Sequence, residues 1–300
     1  MSDQPVVALT IAGSDSGAGA GLQADLKTMA ALGVFAVTAV TAVTAQNTVA
    51  VRAVHPVPTE MVDRQIDAVL EDLEVRAVKT GMLATVETIG LVGRRAAAGD
   101  LPALVVDPVL VASTGRPLLG GDGVLAYRRL IAPSALVMTP NLWEAALLAD
   151  VDAGSLTTVE AMADAGRRIR GFGSRWVLVK GGHLPGVEPG GTASAPGLVP
   201  DVLVGPDGAV VVEAPHVATS NVHGTGCSLS AAVAAGLAGG ADVPAAVVAA
   251  KAFVAGALAG SASWHLGAGH GPLDHLGPDG RAAVGHGGGR VVTPRPLDAI

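Results

Sequence analysis

The chain has 300 residues, a formal net charge of −7 and 50% apolar residues, yet only 2% aromatics and 41 glycines. That length holds one large domain or two small ones, with a core built of Val, Ala, Leu and Ile between many tight turns. Charge with no basic run, and few rings for bases to stack on, speak against nucleic acid as a partner. The single cysteine excludes an internal disulfide, and the opening MSDQPVVALTIAG has neither a basic stretch nor a cleavage-site pattern, so a cytoplasmic protein is expected.

In chain order, short β-branched runs alternate with helical patterns, as parallel strands with crossover helices do. Strands are expected over 5–12, 34–42, 75–81, 103–109, 135–140 and 175–182, and helices over 20–32, 59–73, 85–98, 121–131, 141–149 and 157–170. Thr157 and Glu160 stand at capping-box spacing for the last helix. From 183 the text HLPGVEPGGTASAPG reads as a loop, followed by a hairpin in which 198–205 and 209–214 flank Pro206, Asp207 and Gly208. The apolar stretch 231–260 raises the question of a membrane span. Gly239, Gly240, Asp242, Pro244 and Lys251 interrupt it, so two buried helices joined by a turn are expected, and no membrane. No internal repeat or interdomain linker is visible. Past 276 the periodicity is lost, and 277–300 read as a mobile tail whose histidines lack metal-ligand spacing.

Two glycine-rich turns carry chemistry. The first, 12-AGSDSGAGAGLQAD-25, leaves a strand and opens a helix, and its small residues let backbone N–H groups approach a ligand. It contains Gly19-x-Gly21-x-x-Ala24, but the acidic residue of a dinucleotide site is missing where TAVTAVTAQN stands, and no Walker A sequence is present. The second is 224-GTGC-227, small residues at a helix start, where N–H groups and the helix dipole favour an anion. A thiol in that first turn gains stabilisation of its thiolate and can serve as base or nucleophile. Taken by itself, Cys227 reads first as a small hydrophobe packed under the helix.

The blocks GSDSGAGAGLQADLKT, AQNT, KTGML, DPV, TPNLWEA, VKGGH and HGTGC, in this order, closely resemble the hydroxymethylpyrimidine/phosphomethylpyrimidine kinases of thiamine biosynthesis, in the ribokinase-like superfamily. The similarity spans residues 5–275, with Ala18 a local variation in the first loop that its small size should make tolerable. The resemblance implies an α/β fold with a mostly parallel central sheet and helices on both faces, a kinase domain over 1–276, and ATP and Mg²⁺ as cofactors. It implies ATP-dependent phosphorylation of 4-amino-5-hydroxymethyl-2-methylpyrimidine to its monophosphate and then its diphosphate. A pyridoxine/pyridoxal kinase of the same superfamily is the alternative. The partners implied are the small-molecule substrate and ATP, and a homodimer is compatible with the family.

The resemblance also assigns roles. Gln46 corresponds to the amide that bonds the pyrimidine, its paired donor and acceptor suiting an aminopyrimidine edge, and Gly13, Asp25 and Met82 match positions lining the same pocket. Gly224, Thr225 and Gly226 inherit the anion hole, and Cys227 the base that activates the hydroxymethyl group. Asn141 and Glu144 match an Asn-x-x-Glu motif that organises Mg²⁺ and phosphates through water, and Lys180 meets the nucleotide phosphates. Other readings stand beside these. Asp25 is also explicable as a helix-start residue favoured by the dipole, Asp107 before Pro108 as a metal-site carboxylate or a turn residue, His223 as a phosphate contact or a surface loop residue, and Met82 as core.

Overall fold

In the computed structural model, residues 4–110, 121–184, 197–277 and 294–296 are described. Residues 185–196 of the expected loop and most of 277–300 lie outside them. The strands are β1 (Val7–Ser14), β2 (Phe35–Gln46), β3 (Val51–Pro56), β4 (Val75–Thr80), β5 (Val105–Val106), β6 (Val137–Met138), β7 (Trp176–Lys180), β8 (Leu198–Gly205), β9 (Gly208–Pro215) and β10 (Pro294–Pro296). The helices are α1 (Gly21–Ala31), α2 (Thr59–Leu70), α3 (Val86–Ala98), α4 (Gly121–Ala126), α5 (Leu142–Ala149), α6 (Val159–Arg170), α7 (Thr225–Ala238) and α8 (Val243–Ser261).

All ten strands join one sheet in the order β10-β9-β8-β7-β6-β5-β4-β1-β2-β3. The run from β2 through β1, β4, β5 and β6 to β7 is parallel. Strand periodicity divides the core in two. Val106, Met138, Val177 and Val179 join Ile66, Ile89 and Met162 on one face, while Val105, Val137 and Leu178 face Met29, Val233 and Val247 on the other. The first layer contains α2, α3, α5 and α6; the second contains α1, α7 and α8. Alanine and glycine let α7 and α8 pack closely, a Cβ on Gly236 lying 3.0 Å from that of Ala246. By length and composition α8 is apolar enough to cross a membrane, but here its Lys251 Nζ lies 2.7 Å from Asp201 Oδ2, both side chains nearly enclosed.

Several local expectations differ from the fold. β2 runs four residues past its expected end, as far as Gln46, and pairs antiparallel with β3, an edge strand that the sequence reading missed because nearly all of its residues are exposed. The central strands expected over 103–109 and 135–140 shrink to two paired residues each. α4 loosens into a π-helical turn over Tyr127–Ile131. The cap of α6 is Thr158, accepting from the Ala161 N–H, and not Thr157. Ala18 is in the left-handed region at φ 58°, so its cost is conformational rather than one of size. Within the segment expected as a tail, Pro294–Pro296 pair with β9, at an edge where proline is tolerated.

Candidate active site

The carboxyl ends of the parallel strands carry the site residues, the edge where open α/β sheets bind ligands. Asp15, just past β1, gathers the first glycine loop: its carboxylate accepts from the N–H groups of Gly17 (2.8 Å), Gly19 (3.2 Å) and Ala20 (2.9 Å), and lies 2.9 Å from His223 Nε2. Burial would raise its pKa, but the bonds from His223, Ala20 and Gly17 outweigh it and hold the carboxyl below its usual range. The two glycine turns interlock because both lack side chains at the contact. A Cβ on Gly224, at φ 88°, would strike the Gly19 carbonyl, and a Cβ on Gly19 would strike the His223 ring.

Gly224 caps α7 in the left-handed conformation, with no side chain closing the first turn. Thr225 spends both its N–H (3.2 Å) and its hydroxyl (2.6 Å) on the Val222 carbonyl. That leaves the N–H groups of Gly226 and Cys227 as the better donors for an anion. The Cys227 thiol is half-buried, with the Gly21 N–H at the start of α1 favouring its thiolate. Burial pushes its pKa up to about 11, with Lys79 pulling the other way. The expectation of an acidified thiol is therefore overturned: two helix starts and one ammonium do not offset its desolvation.

Beside Gly226, Lys180 Nζ donates to Asp107 Oδ1 at 2.9 Å, and a Cβ on Gly226 would come within 3.1 Å of that nitrogen. The strand ends are locked together, the Lys180 N–H reaching the Pro140 carbonyl at 2.9 Å. Asn141 and Glu144 form a reciprocal capping box on α5, both bonds 2.9 Å. Burial lifts Glu144 to about 7, opposed by Lys180 and reinforced by Asp107. Burial alone would lower the pKa of Lys180, but Asp107 and Glu144 hold it up.

Gln46 lies at the end of β2, at the mouth of a cleft of about 310 Å³ shared with the β2–β3 turn, His223 and His270. Gly13 and Met82 touch: the Met82 methyl occupies the space a Gly13 side chain would need. Asp25 is elsewhere. It has no solvent exposure, both its oxygens accept from Lys79 Nζ at 2.8 Å, and Thr10 adds a bond of 2.7 Å. It is therefore enclosed in the interior and does not line the cleft, and it is past the first turn of α1, which carries no acidic residue. His223 is not a surface loop residue, being nearly enclosed, bonded to Asp15 and on the lining of the cleft.

A family model described as phosphomethylpyrimidine kinase matches residues 15–274. The chain belongs to the phosphomethylpyrimidine kinase family. It is 46% identical over 278 residues to the hydroxymethylpyrimidine/phosphomethylpyrimidine kinase of Rhizobium meliloti, covering 90% of this chain and 97% of that one. Among solved structures, Staphylococcus aureus pyridoxal kinase in complex with AMP-PCP and pyridoxal superposes with a TM-score of 0.83 at 31% identity, covering 98% of this chain and 100% of that one. The ADP complex of Bacillus subtilis pyridoxal kinase gives 0.79 at 36%, covering 91% and 98%. The fold is thus ribokinase-like and the protein is a kinase.

Three residues of this phosphomethylpyrimidine kinase site escaped the sequence reading. Asp15 was legible in type, since Asp before Ser-Gly commonly binds the backbone two residues on. Lys79 was also legible, because a lysine inside the apolar strand V-R-A-V-K-T needs a buried partner. His270 carried no signal, for only the fold brings it to the cleft.

Proposed function

We propose that this kinase transfers the γ-phosphoryl group of ATP to the hydroxymethyl oxygen of 4-amino-5-hydroxymethyl-2-methylpyrimidine, and then a second phosphoryl group to the resulting monophosphate. One arrangement carries the reading: the first turn of α7 has the Gln46 amide on one side, through His223, and the Lys180–Asp107 pair on the other, against Gly226. A recogniser of a polar ring edge and a phosphate-binding cation thus flank an anion site. Gln46, Gly13 and Met82 hold the pyrimidine, while Asp25 acts inside the fold through its pair with Lys79. Gly224 shapes the turn that presents the N–H groups of Gly226 and Cys227 to the transferring phosphoryl group, Thr225 bracing it. Such transfer needs alignment and charge neutralisation more than covalent chemistry. Cys227 accepts the hydroxymethyl proton in its ionised form as the oxygen–phosphorus bond forms and ADP departs.

The residues suit Mg²⁺ that is held mainly by phosphates and water. Among the described residues no three His, Cys, Asp or Glu side chains converge on one point, but Asp107 and Glu144 share a single ammonium, and the Glu144 pKa, raised chiefly by burial, is raised further by the Asp107 charge. Asp107 and Glu144 would hold the hydrated ion, with Asn141 fixing Glu144, and the metal would supply charge neutralisation on the phosphates. The pyridoxal kinases among the structural neighbours favour a second reading, a pyridoxal-type substrate. Mass-resolved analysis of products from ATP with each ring separates the two. Successive mono- and diphosphates of the hydroxymethylpyrimidine are expected, and phosphorylation of pyridoxal alone would overturn the assignment.

A further inference from the structure

The His223 ring is held on two sides and its backbone is anchored as well. Its Nε2 lies 2.9 Å from Asp15 Oδ2, its Cδ2 covers Gly19 where a Cβ would have to stand, and its backbone N–H bonds the Gly271 carbonyl at 3.1 Å. A carboxylate only accepts, so His223 Nε2 carries a hydrogen and donates it to Asp15. The Gln46 amide lies 3.4 Å from the same Nε2. With its NH₂ group turned that way, donor faces donor. At its other end the amide meets Thr44 Oγ1 at 3.3 Å, yet that hydroxyl spends its one hydrogen on the Ser14 carbonyl, 2.9 Å away. With Oε1 towards His223 instead, the donor–donor clash is gone: Oε1 faces an N–H whose hydrogen is committed to Asp15 and is at most a weak second acceptor, while the amide nitrogen donates to Thr44, the contact that sets the orientation. One N–H and one carbonyl lone pair then remain for the cleft, in a set order.

We propose that Asp15, acting through His223, and Thr44 are positioning residues that fix the Gln46 amide in one orientation, so that the site selects a ring edge with an amino group beside an unprotonated ring nitrogen. The proposal rests on the pyrimidine-kinase reading above and specifies how that reading achieves selectivity. Among the described residues no Asp, Glu, Lys or Arg lines the cleft, so no charged side chain meets the free edge of the amide directly. The 4-oxo analogue, with a carbonyl beside a protonated nitrogen, presents the reversed order. A fixed amide meets it donor to donor and acceptor to acceptor, whereas a free amide turns over to match it.

The test is the ratio of kcat/KM for the amino substrate to that for the 4-oxo analogue, in the intact protein, His223→Phe and Thr44→Val. Phe keeps a ring over Gly19 without the N–H; Val keeps the shape of Thr44 and leaves Asp15 untouched. The intact kinase should favour the amino ring by about tenfold or more, the scale of an unpaired buried polar group. In each folded variant that ratio should fall towards one while the KM for ATP holds. A general structural loss would lower both rings together and keep the ratio, and a retained ratio in His223→Phe or Thr44→Val overturns the proposal. Should His223→Phe not fold, Thr44→Val decides alone. Failure of the intact protein to phosphorylate either ring refutes the proposed function instead.

Discussion

Lys79 Nζ is equidistant, at 2.8 Å, from the two carboxylate oxygens of Asp25, and neither side chain has any solvent exposure. Burial raises the pKa of Asp25 and would lower that of the ammonium, but Asp25 holds Lys79 above the ordinary lysine value, and an Nζ shared evenly between two carboxylate oxygens is the geometry of an ion pair. Breaking such a pair leaves a buried charge, which costs about 3–5 kcal/mol, whereas replacing both partners by apolar groups is close to neutral. Lys79→Met should therefore lower unfolding stability by that amount in urea titrations, and Lys79→Met combined with Asp25→Leu should recover most of it. A single variant as stable as the parent would mean that the pair is not ionised.

Glu144 has two roles that one substitution separates. Gln at this position keeps an oxygen to accept the Asn141 N–H, now 2.9 Å from Glu144 Oε2, and removes only the charge. Glu144→Gln should change stability by less than about 1 kcal/mol and raise the Mg²⁺ concentration needed for half-maximal rate several-fold. An unchanged Mg²⁺ dependence would leave Glu144 as a helix cap alone.

How much the sequence discloses follows the range of the forces involved. The alternation that places Val105 and Val106 on opposite faces is local, and it shows in the text. The Asn141–Glu144 box is local too, yet the motif resemblance drew it towards metal chemistry before its capping role was seen. Asp25 with Lys79 and Asp15 with His223 lie 54 and 208 residues apart, pairings no spacing rule specifies. Cys227 shows the limit most clearly: the favourable helix start is visible in the chain, while the desolvation that outweighs it depends on packing between α1 and α7.

Ala18 stands at φ 58° in a loop otherwise rich in glycine, its N–H bonded to the Asp15 carbonyl at 2.9 Å. A Cβ in the left-handed region costs roughly 1–2 kcal/mol, part of which glycine forfeits through a freer unfolded chain. Ala18→Gly should accordingly stabilise the protein by about 0.5–1 kcal/mol. A lower denaturation midpoint at unchanged denaturant dependence would show that the loop is not under this strain.

His275 is buried with Nε2 2.8 Å from Ser228 Oγ in the first turns of α7. Burial, with Lys27 nearby, lowers its pKa to about 4. Below the unfolded value of about 6.5 the unfolded chain takes up a proton that the folded chain refuses. Stability attributable to this group is thus intact above that pH, declines as pH falls towards 4, and is lost by up to about 3 kcal/mol. His275→Gln, which retains a partner for Ser228, should flatten the fall in Tm between pH 6.5 and 4. Parallel Tm profiles for the two proteins would assign the acid sensitivity elsewhere.

The single thiol tests the chemistry directly. With its pKa pushed up to about 11, Cys227 should react with iodoacetamide more slowly than a free cysteine at pH 7.5, and the rate should climb about tenfold per pH unit up to pH 9, since only the thiolate attacks. If the same thiolate is the base, kcat/KM for the hydroxymethylpyrimidine should follow that slope, because it reports ionisations of the free enzyme. Cys227→Ser, whose hydroxyl is a still weaker acid, should lose about 10²-fold or more in kcat, and Cys227→Asp, ionised at neutral pH, should lose less and show no such slope. A Cys227→Ser enzyme with parental kcat, or a flat kcat/KM profile beside a steep alkylation profile, would remove the thiol from proton transfer. Catalysis at this turn would then rest on the N–H groups of Gly226 and residue 227 and on Lys180, with the thiol serving only to pack α7 against the start of α1.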